Sequence, residues 1–212
     1  MTKHLLSGHA RFRSEYFEHE SDFLQALARD GQNPSALYIG CSDSRVVPEL
    51  LTTSRPGELF VVRNIANVVP SFDHADASVG AAIEYAVEVL QVPHVIVCGH
   101  DRCGGVKAAL DGADKLSAHK SLHEWVTMID PAARKAREIE RGDDTALLRC
   151  AVEENVLYSM ENLITYPAIA AALAARKLEL HGWVFDLDAG VLRVYDVTSE
   201  EFVASDIVKA GP

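Results

Sequence analysis

Two stretches decide the fold of this chain: ALYIGCSDSR at positions 36–45 and HVIVCGHDRCGG at positions 94–105. Each begins with an apolar run without alternation, which is typical of a parallel strand buried on both faces. Each run then passes directly into polar residues that include a cysteine. Because loops at the carboxyl ends of parallel strands converge at one edge of a sheet, we expect these two loops to meet.

The surrounding pattern completes an α/β fold. A third apolar run covers 58–62, and a helix with one apolar stripe is predicted over 77–90, so that a β-α-β unit leads into the run at 94–98. Periodicity also predicts a long N-terminal helix over 3–30. We therefore predict a mostly parallel central β-sheet flanked by helices, with a C-terminal antiparallel edge strand. The other predicted elements are helices near 106–110, 122–129 and 144–166 and hairpin strands over 180–187 and 191–197.

A single domain is the simplest interpretation, because the 212 residues contain no repeat, low-complexity segment or linker-like shift in composition. Hydrophobic residues make up 48% and charged residues 24%, which is typical of a globular protein. The domain 1–212 divides into an N-terminal helical arm (1–31), a site-bearing α/β core (36–110), a helical block (111–178) and a closing hairpin (179–198).

The charge balance excludes several classes of partner. Twenty Lys and Arg face thirty-one Asp and Glu, so the formal net charge of −11 repels phosphate backbones and argues against nucleic acid. No apolar run approaches the roughly 20 residues that span a bilayer. The N-terminal residues resemble neither a signal peptide nor a transit peptide, so we expect a cytoplasmic protein without a membrane partner.

The four cysteines are too sparse for a disulfide framework and are expected to be reduced. Cys98 and Cys150 lie in apolar segments, whereas Cys41 and Cys103 lie in polar loops. With His100, the two loop cysteines offer one imidazole and two thiolates, a donor set that favours Zn²⁺ over Mg²⁺ or Ca²⁺. Three protein ligands would leave a fourth position open, as in catalytic zinc sites.

Alternatives remain open at this point. The H-x-x-C spacing can arise by chance, and spacing alone does not exclude a fourth ligand from His94, His119 or His123. Asp43 and Arg45, two residues apart in the first loop, can form an ion pair that keeps the carboxylate charged beside the metal. They can equally form an Asx-turn with a surface pair worth about 0–1 kcal/mol.

The two loops resemble the signatures of the β-class carbonic anhydrases. C-x-D-S-R corresponds to residues 41–45, and H-x-x-C-G-G to residues 100–105. The segments at 56–67 and 80–87 are also similar to that family, so the resemblance runs from about Gln32 to Lys107. Gln32 lies nine residues before Cys41, as in the plant-like branch of the family.

The resemblance implies reversible hydration of CO₂ to bicarbonate and a proton by attack of zinc-bound hydroxide. It implies zinc held by Cys41, His100 and Cys103, with water in the fourth position or Asp43 in a closed resting form. Asp43 and Arg45 would be the catalytic dyad. The implied substrate-binding residues are Gln32, Phe60, Ile65, Tyr85 and the backbone N–H groups near Gly104.

The resemblance also bears on regulation and assembly. Family members with a regulatory bicarbonate site carry Trp and Tyr where this chain has Tyr38 and Phe185, and only Arg63 of that trio is present. We therefore predict no bicarbonate-driven switch. Aromatic residues in the predicted N-terminal helix indicate packing on a second subunit, and the resemblance implies a homodimer or homotetramer.

Two other functions are compatible with the same motifs. Relatives of this family use the same ligands to hydrolyse CS₂ or COS, and the loops around the metal do not distinguish these electrophiles from CO₂. A non-catalytic, zinc-stabilised binding protein is the second alternative. The presence of Arg45, Gln32 and the pocket residues argues against it, because a structural zinc site needs none of them.

Overall fold

A computed structural model describes residues 2–205, and its centre is a six-stranded sheet in the order β2-β1-β3-β4-β5-β6. The first four strands in this order are parallel, and β5 and β6 are antiparallel to their neighbours. The strands are β1 (Ala36–Cys41), β2 (Leu59–Asn64), β3 (His94–His100), β4 (Glu179–Phe185), β5 (Leu192–Asp196) and β6 (Glu201–Ala204). This arrangement confirms the predicted mostly parallel α/β fold.

Helices cover the sheet and lead from strand to strand. They are α1 (Lys3–Arg11), α2 (Ser21–Asp30), α3 (Pro48–Thr52), α4 (Ala77–Glu84), α5 (Gly104–Asp111), α6 (Lys120–Thr127), α7 (Asp130–Ile139), α8 (Asp144–Ile164) and α9 (Pro167–Ala174). No helix within residues 2–205 has the length and apolar content needed to cross a membrane.

The central strands β1 and β3 are buried on both faces, as their apolar runs without alternation predict. On one face Leu37, Ile39 and Val97 belong to a large core shared with the helices. On the other face Tyr38 and Cys98 belong to a smaller cluster with Trp183 packed against it. Register places Cys41 beside Asn64 and Gly40 beside Cys98, so the carboxyl ends of β1, β2 and β3 lie together.

The N-terminal arm differs from the single helix predicted over 3–30. Helix α1 continues into a π-helical segment, Phe12–Phe17, and α2 begins only at Ser21. No residue of α1 is buried, because this helix does not pack into the core of its own chain. Its leucines Leu5 and Leu6 are 63% and 68% exposed. Helices in proteins are stabilised mainly by the packing of an apolar face, and α1 has no such packing within its own chain.

The C-terminal part extends the prediction. β4 and β5 form the predicted antiparallel pair, but β6 follows and is the last strand of the described sheet. The edge strand is therefore β6, and the closing unit runs beyond the predicted end at 198. Three helices were not predicted: α3, α7 and α9. In all three, a proline occupies one of the first helical positions, where its missing N–H costs no hydrogen bond, so proline starts a helix there.

Candidate metal centre

The ends of two strands and the start of one helix bring three metal-binding side chains together. Cys41 ends β1, His100 ends β3, and Cys103 precedes the first residue of α5. All three are buried, and their ligand atoms lie within 4.8 Å of one another. The close approach of α5 depends on Gly105, since a Cβ there would lie 2.8 Å from Cγ2 of Ile65.

The orientation of His100 fits a metal ligand. Its Nδ1 lies 2.9 Å from the carbonyl oxygen of Asp101, and because a carbonyl can only accept, Nδ1 carries the proton. The buried Nε2 therefore presents a lone pair, and it has no hydrogen-bond partner among the described residues. A buried polar atom without a partner is costly, and a cation between Nε2 and the two sulfurs would satisfy it.

The charges of the two thiols also favour a cation. The neighbouring Cys103 thiol lowers the pKa of Cys41 by stabilising its thiolate. The same contact, together with burial, raises the pKa of Cys103. A second thiolate is therefore unfavourable until a positive charge is placed between the sulfurs. Two thiolates and one imidazole then fit zinc, a divalent cation that accepts both sulfur and nitrogen.

Asp43 and Arg45 form a two-pronged ion pair at the edge of this centre. Nε of Arg45 donates to Oδ1 of Asp43 at 2.9 Å, and Nη2 donates to Oδ2 at 2.7 Å. The backbone N–H of Arg45 donates to Oδ1 as well. These hydrogen bonds hold the pKa of Asp43 well below its usual range. Oδ2 lies 3.8 Å from Nε2 of His100, so a permanently charged acceptor faces the metal-binding atoms.

Arg63 is a structural part of the site that motif analysis did not assign. It follows the apolar run of β2, and its guanidinium donates to the carbonyl oxygens of Cys41, Asp43 and Val46 at 2.6–2.9 Å. One side chain thus clamps the whole loop that carries Cys41 and Asp43. A charged residue at the carboxyl end of a buried strand is the signal that could have indicated this role.

A row of polar residues on α8 holds the loop that follows β2. The side-chain amide of Asn155 donates to the carbonyl of Ala66 at 2.8 Å, and that of Asn162 donates to the carbonyl of Val69 at 2.8 Å. Ser159 lies between them and donates to the carbonyl of Asn67. This support is needed because Ala66 and Asn67 have φ values of 61° and 49°. Polar residues three and four apart on an apolar helix were the available signal.

A buried arginine supports the second ligand loop. Arg193 on β5 donates to Asp101 at 2.9 Å and also pairs with Glu153 on α8. Asp101 immediately follows His100, and its backbone N–H donates to the carbonyl of Phe185. The loop between His100 and Cys103 is thereby tied to β4, β5 and α8. Sequence analysis did not find these contacts, because Arg193 lies 92 residues from Asp101 and 40 residues from Glu153 along the chain.

The predicted substrate-binding residues divide into two groups. Gly104 begins α5, and Ile65 lies against Gly105, so both are beside the ligands. Phe60 pairs in register with Leu37, four residues before Cys41, and Tyr85 stacks on Phe60 at 5.8 Å between ring centroids. At about 3.3 Å per residue this places Phe60 roughly 13 Å along the sheet from Cys41.

Gln32 belongs to the distant group too, since it is exposed and precedes the first residue of β1. One copy of the chain therefore does not bring Gln32, Phe60 and Tyr85 to the metal-binding atoms. Among the other histidines, His123 lies beside Asp114, and His94 lies at the opposite end of β3 from His100. Within residues 2–205, the cluster at Cys41 includes none of the three histidines that spacing left open.

Comparison with known proteins agrees with the fold and identifies the family. The family model described as carbonic anhydrase matches residues 36–192. A carbonic anhydrase of Pseudomonas aeruginosa is 40% identical over 94% of this chain and 90% of its own length. One of Synechocystis sp. is 38% identical over 94% of this chain and 73% of its own length.

Solved structures give the same result. The β-carbonic anhydrase CcaA superposes with a TM-score of 0.91 at 37% identity, covering 95% of this chain and 98% of that one. One of two β-carbonic anhydrases from Sordaria macrospora, which are described as tetrameric, superposes with a TM-score of 0.78 at 32% identity. The match covers 91% of this chain and 95% of that one.

A parallel sheet whose strand ends gather two cysteines and a histidine carries a group that could hold a metal ion, at the edge where α/β enzymes bind their ligands. The comparisons make this specific: the chain belongs to the β-carbonic anhydrase family, whose members catalyse the hydration of CO₂.

Proposed function

We propose that this protein catalyses the reversible hydration of CO₂ to bicarbonate and a proton with zinc held by Cys41, His100 and Cys103. The observation that carries the proposal is the buried Cys-His-Cys cluster, with the unpartnered Nε2 of His100 facing it and the charged Asp43 at its edge. Zinc in this position supplies a water of lowered pKa as the nucleophile.

The Asp43–Arg45 pair orients the reacting groups. Arg45 keeps the Asp43 carboxylate ionised and fixed, so that it only accepts hydrogen bonds. A carboxylate in this state would accept a hydrogen bond from the attacking hydroxyl group, and this bond would turn a lone pair of the hydroxyl oxygen toward the carbon of CO₂. Because both oxygens of Asp43 are engaged by Arg45, we also propose that Asp43 stays away from the fourth metal position near neutral pH.

The helix that follows Cys103 contributes to charge stabilisation. Among the first backbone N–H groups of α5, those of Gly105 and Val106 interact with the thiol of Cys103. The N–H of Gly104, which has no partner within the helix, would donate to oxygen as negative charge develops on it. Ile65 provides apolar surface for CO₂ next to them.

A second copy of the chain would complete the pocket. Gln32, Phe60 and Tyr85 lie far from Cys41 in their own chain, and Tyr85 is 45% exposed. Helix α1 exposes leucines that its own chain does not cover. We therefore propose a homodimer, alone or within a homotetramer, in which one copy presents these residues to the site of its partner. We place the protein in the cytoplasm.

The test is stopped-flow CO₂ hydration at roughly pH 7.5 and 8.5 on protein of known zinc content. We expect fast hydration that requires zinc and disappears in Cys103→Ala. Cys150→Ala is the matched control, since Cys150 lies on α8 outside the cluster and should retain activity.

Two results would overturn the proposal. One zinc per chain without CO₂ hydration would favour CS₂ or COS as the electrophile, which the same assay with those molecules would show. Failure with all three electrophiles would leave a zinc-stabilised binding protein.

A further inference from the structure

A second group of metal-binding side chains gathers at the other end of β3. Register pairs His94 on β3 with Glu179 on β4 and Ile96 with His181, so alternation along β4 brings His181 to the same place. Nδ1 of His94 lies 3.2 Å from Nε2 of His181. Oε2 of Glu179 lies 3.7 Å from the first and 3.8 Å from the second of these nitrogens. All three ligand atoms lie within 4.8 Å of one another.

The separations are close to those of ligands around one ion. Ligand atoms at about 2.0–2.1 Å from a tetrahedral metal lie roughly 3.3–3.4 Å apart. The two imidazole nitrogens already have this spacing. The Glu179 oxygen is a few tenths of an ångström too distant, but the Glu179 side chain is 72% exposed and free to move.

Access and donor type limit the occupant. The side chains of His94 and His181 are 42% and 32% exposed, so an ion reaches them from solvent. Beside them runs a groove of about 360 Å³, which His94 and His181 line together with Leu59 and Trp183. Two imidazoles and one carboxylate favour Zn²⁺, Ni²⁺ or Cu²⁺ over Mg²⁺ and Ca²⁺. The groove leaves room for water or an anion as a further ligand.

We propose that His94, Glu179 and His181 form a second site for a divalent transition-metal ion. Six residues of β3 separate His94 from His100, which at about 3.3 Å per residue places this site roughly 20 Å from the Cys41–His100–Cys103 centre. The ion would link the first residues of β3 and β4. The inference does not depend on the proposed function, since it rests on different residues and is tested by metal binding and not by activity.

The test begins with full-length protein carrying one zinc per chain. Zinc is titrated into it by isothermal calorimetry, and the final metal content is measured after dialysis at fixed free zinc. We expect one additional zinc per chain. His94→Gln and His181→Gln should each weaken this second binding at least about tenfold, since loss of a direct ligand costs no less than loss of a supporting contact. The first zinc should remain in both variants.

Matched variants separate a site from general surface binding. His123→Gln removes a histidine that lies 3.5 Å from Asp114 and, within residues 2–205, belongs to no group of three metal-binding side chains, so it should leave the second binding event unchanged. Glu179→Gln alters a side chain that is 72% exposed, and should weaken binding less than the histidine changes do. In a Trp125→Phe background Trp183 is the remaining tryptophan, and Ni²⁺ should quench its fluorescence because it lines the adjoining groove.

Three results would overturn the proposal. The first is the absence of additional zinc up to about a hundred micromolar free ion. The second is additional binding that the two histidine variants leave intact. The third is binding without any quenching of Trp183 by Ni²⁺. A hydrogen bond between the two rings would then account for their contact.

Discussion

Strand β3 carries a histidine at each end, and the two ends have opposite environments. His100 at the carboxyl end is fully buried beside two cysteines, and an arginine brace holds the loop that follows it. His94 at the amino end is 42% exposed, beside one histidine and one glutamate. Removing a ligand at the buried end leaves polar atoms without a hydrogen-bond partner and out of reach of water. At the exposed end, solvent replaces a lost ligand. The buried end should therefore respond far more strongly to mutation.

The largest difference is expected for Cys41→Ala. Loss of one thiolate at the buried centre should remove stoichiometric zinc and reduce CO₂ hydration to the uncatalysed background. Metal analysis and stopped-flow rates provide the measurement. Cys98→Ala is the control, because Cys98 is equally buried but belongs to the cluster on the other face of the sheet. One retained zinc with normal activity in Cys41→Ala would show that the ligand set is wrong.

The next largest effect is expected for Arg45→Gln. Without the guanidinium the pKa of Asp43 should rise toward about 3.9, so the carboxylate stays ionised near neutral pH but is no longer held in place. Loss of orientation should lower kcat/KM by about a hundredfold. kcat/KM measured from about pH 6.5 to 9 tests this: the rate should fall at each pH while the profile keeps its shape, because the metal-bound water would set the profile.

The control for Arg45→Gln is Arg29→Gln. Arg29 makes the same two-pronged contact with Asp30 at 2.9 and 3.1 Å, but on an exposed helix end. Its loss should leave both rate and profile unchanged. An unchanged kcat/KM in Arg45→Gln would remove the Asp43–Arg45 pair from the proposed mechanism.

A smaller effect is expected for Arg193→Met, which removes the brace behind the loop of His100. Asp101 and Glu153 would lose a buried partner, and we expect the free energy of unfolding to fall by about 3 kcal/mol. Denaturant unfolding gives the value. Arg102→Gln is the comparison, since its pair with Asp188 is exposed and should be worth less than about 1 kcal/mol. Equal losses of unfolding free energy in the two variants would contradict the distinction between the buried contacts of Arg193 and the exposed pair of Arg102 with Asp188.

The smallest effect is expected for His181→Gln in protein that carries only the first zinc. The ring contact with His94 is partly open to water, so the free energy of unfolding should change by less than about 1 kcal/mol. Chemical denaturation without added metal measures it. A loss above about 2 kcal/mol would mean that the amino end of β3 is a structural contact comparable to the buried end.

Much of the architecture follows from local pattern. Strands β1, β2 and β3 were predicted as runs over 36–39, 58–62 and 94–98, and the hairpin of β4 and β5 and the family were predicted as well, because apolar runs and ligand spacings are short-range features. The π-helical segments at 12–17 and 85–89 and strand β6 were not predicted. Periodicity does not distinguish a π-helical turn from a regular one, and β6 is recognisable only from its pairing with β5.

The contacts that shape the site were less accessible to sequence. Arg63, Asn155 and Arg193 each act on backbone or charge that is tens of residues away in the chain. Their roles depend on sheet register and on where α8 crosses the sheet. No local composition encodes these quantities, because they result from the packing of the whole core.

The sequence by itself determined the α/β class, the two loops with their cysteines and histidine, the Asp43–Arg45 spacing and the family to which the chain belongs. Only the tertiary structure decided that Gln32, Phe60 and Tyr85 lie away from their own metal centre, and that His94 meets His181 across 87 residues of chain. The physical reason is the same in each case. Chemistry carried by neighbouring residues is visible in their order, whereas chemistry shared between strands exists only once the register of the sheet is set.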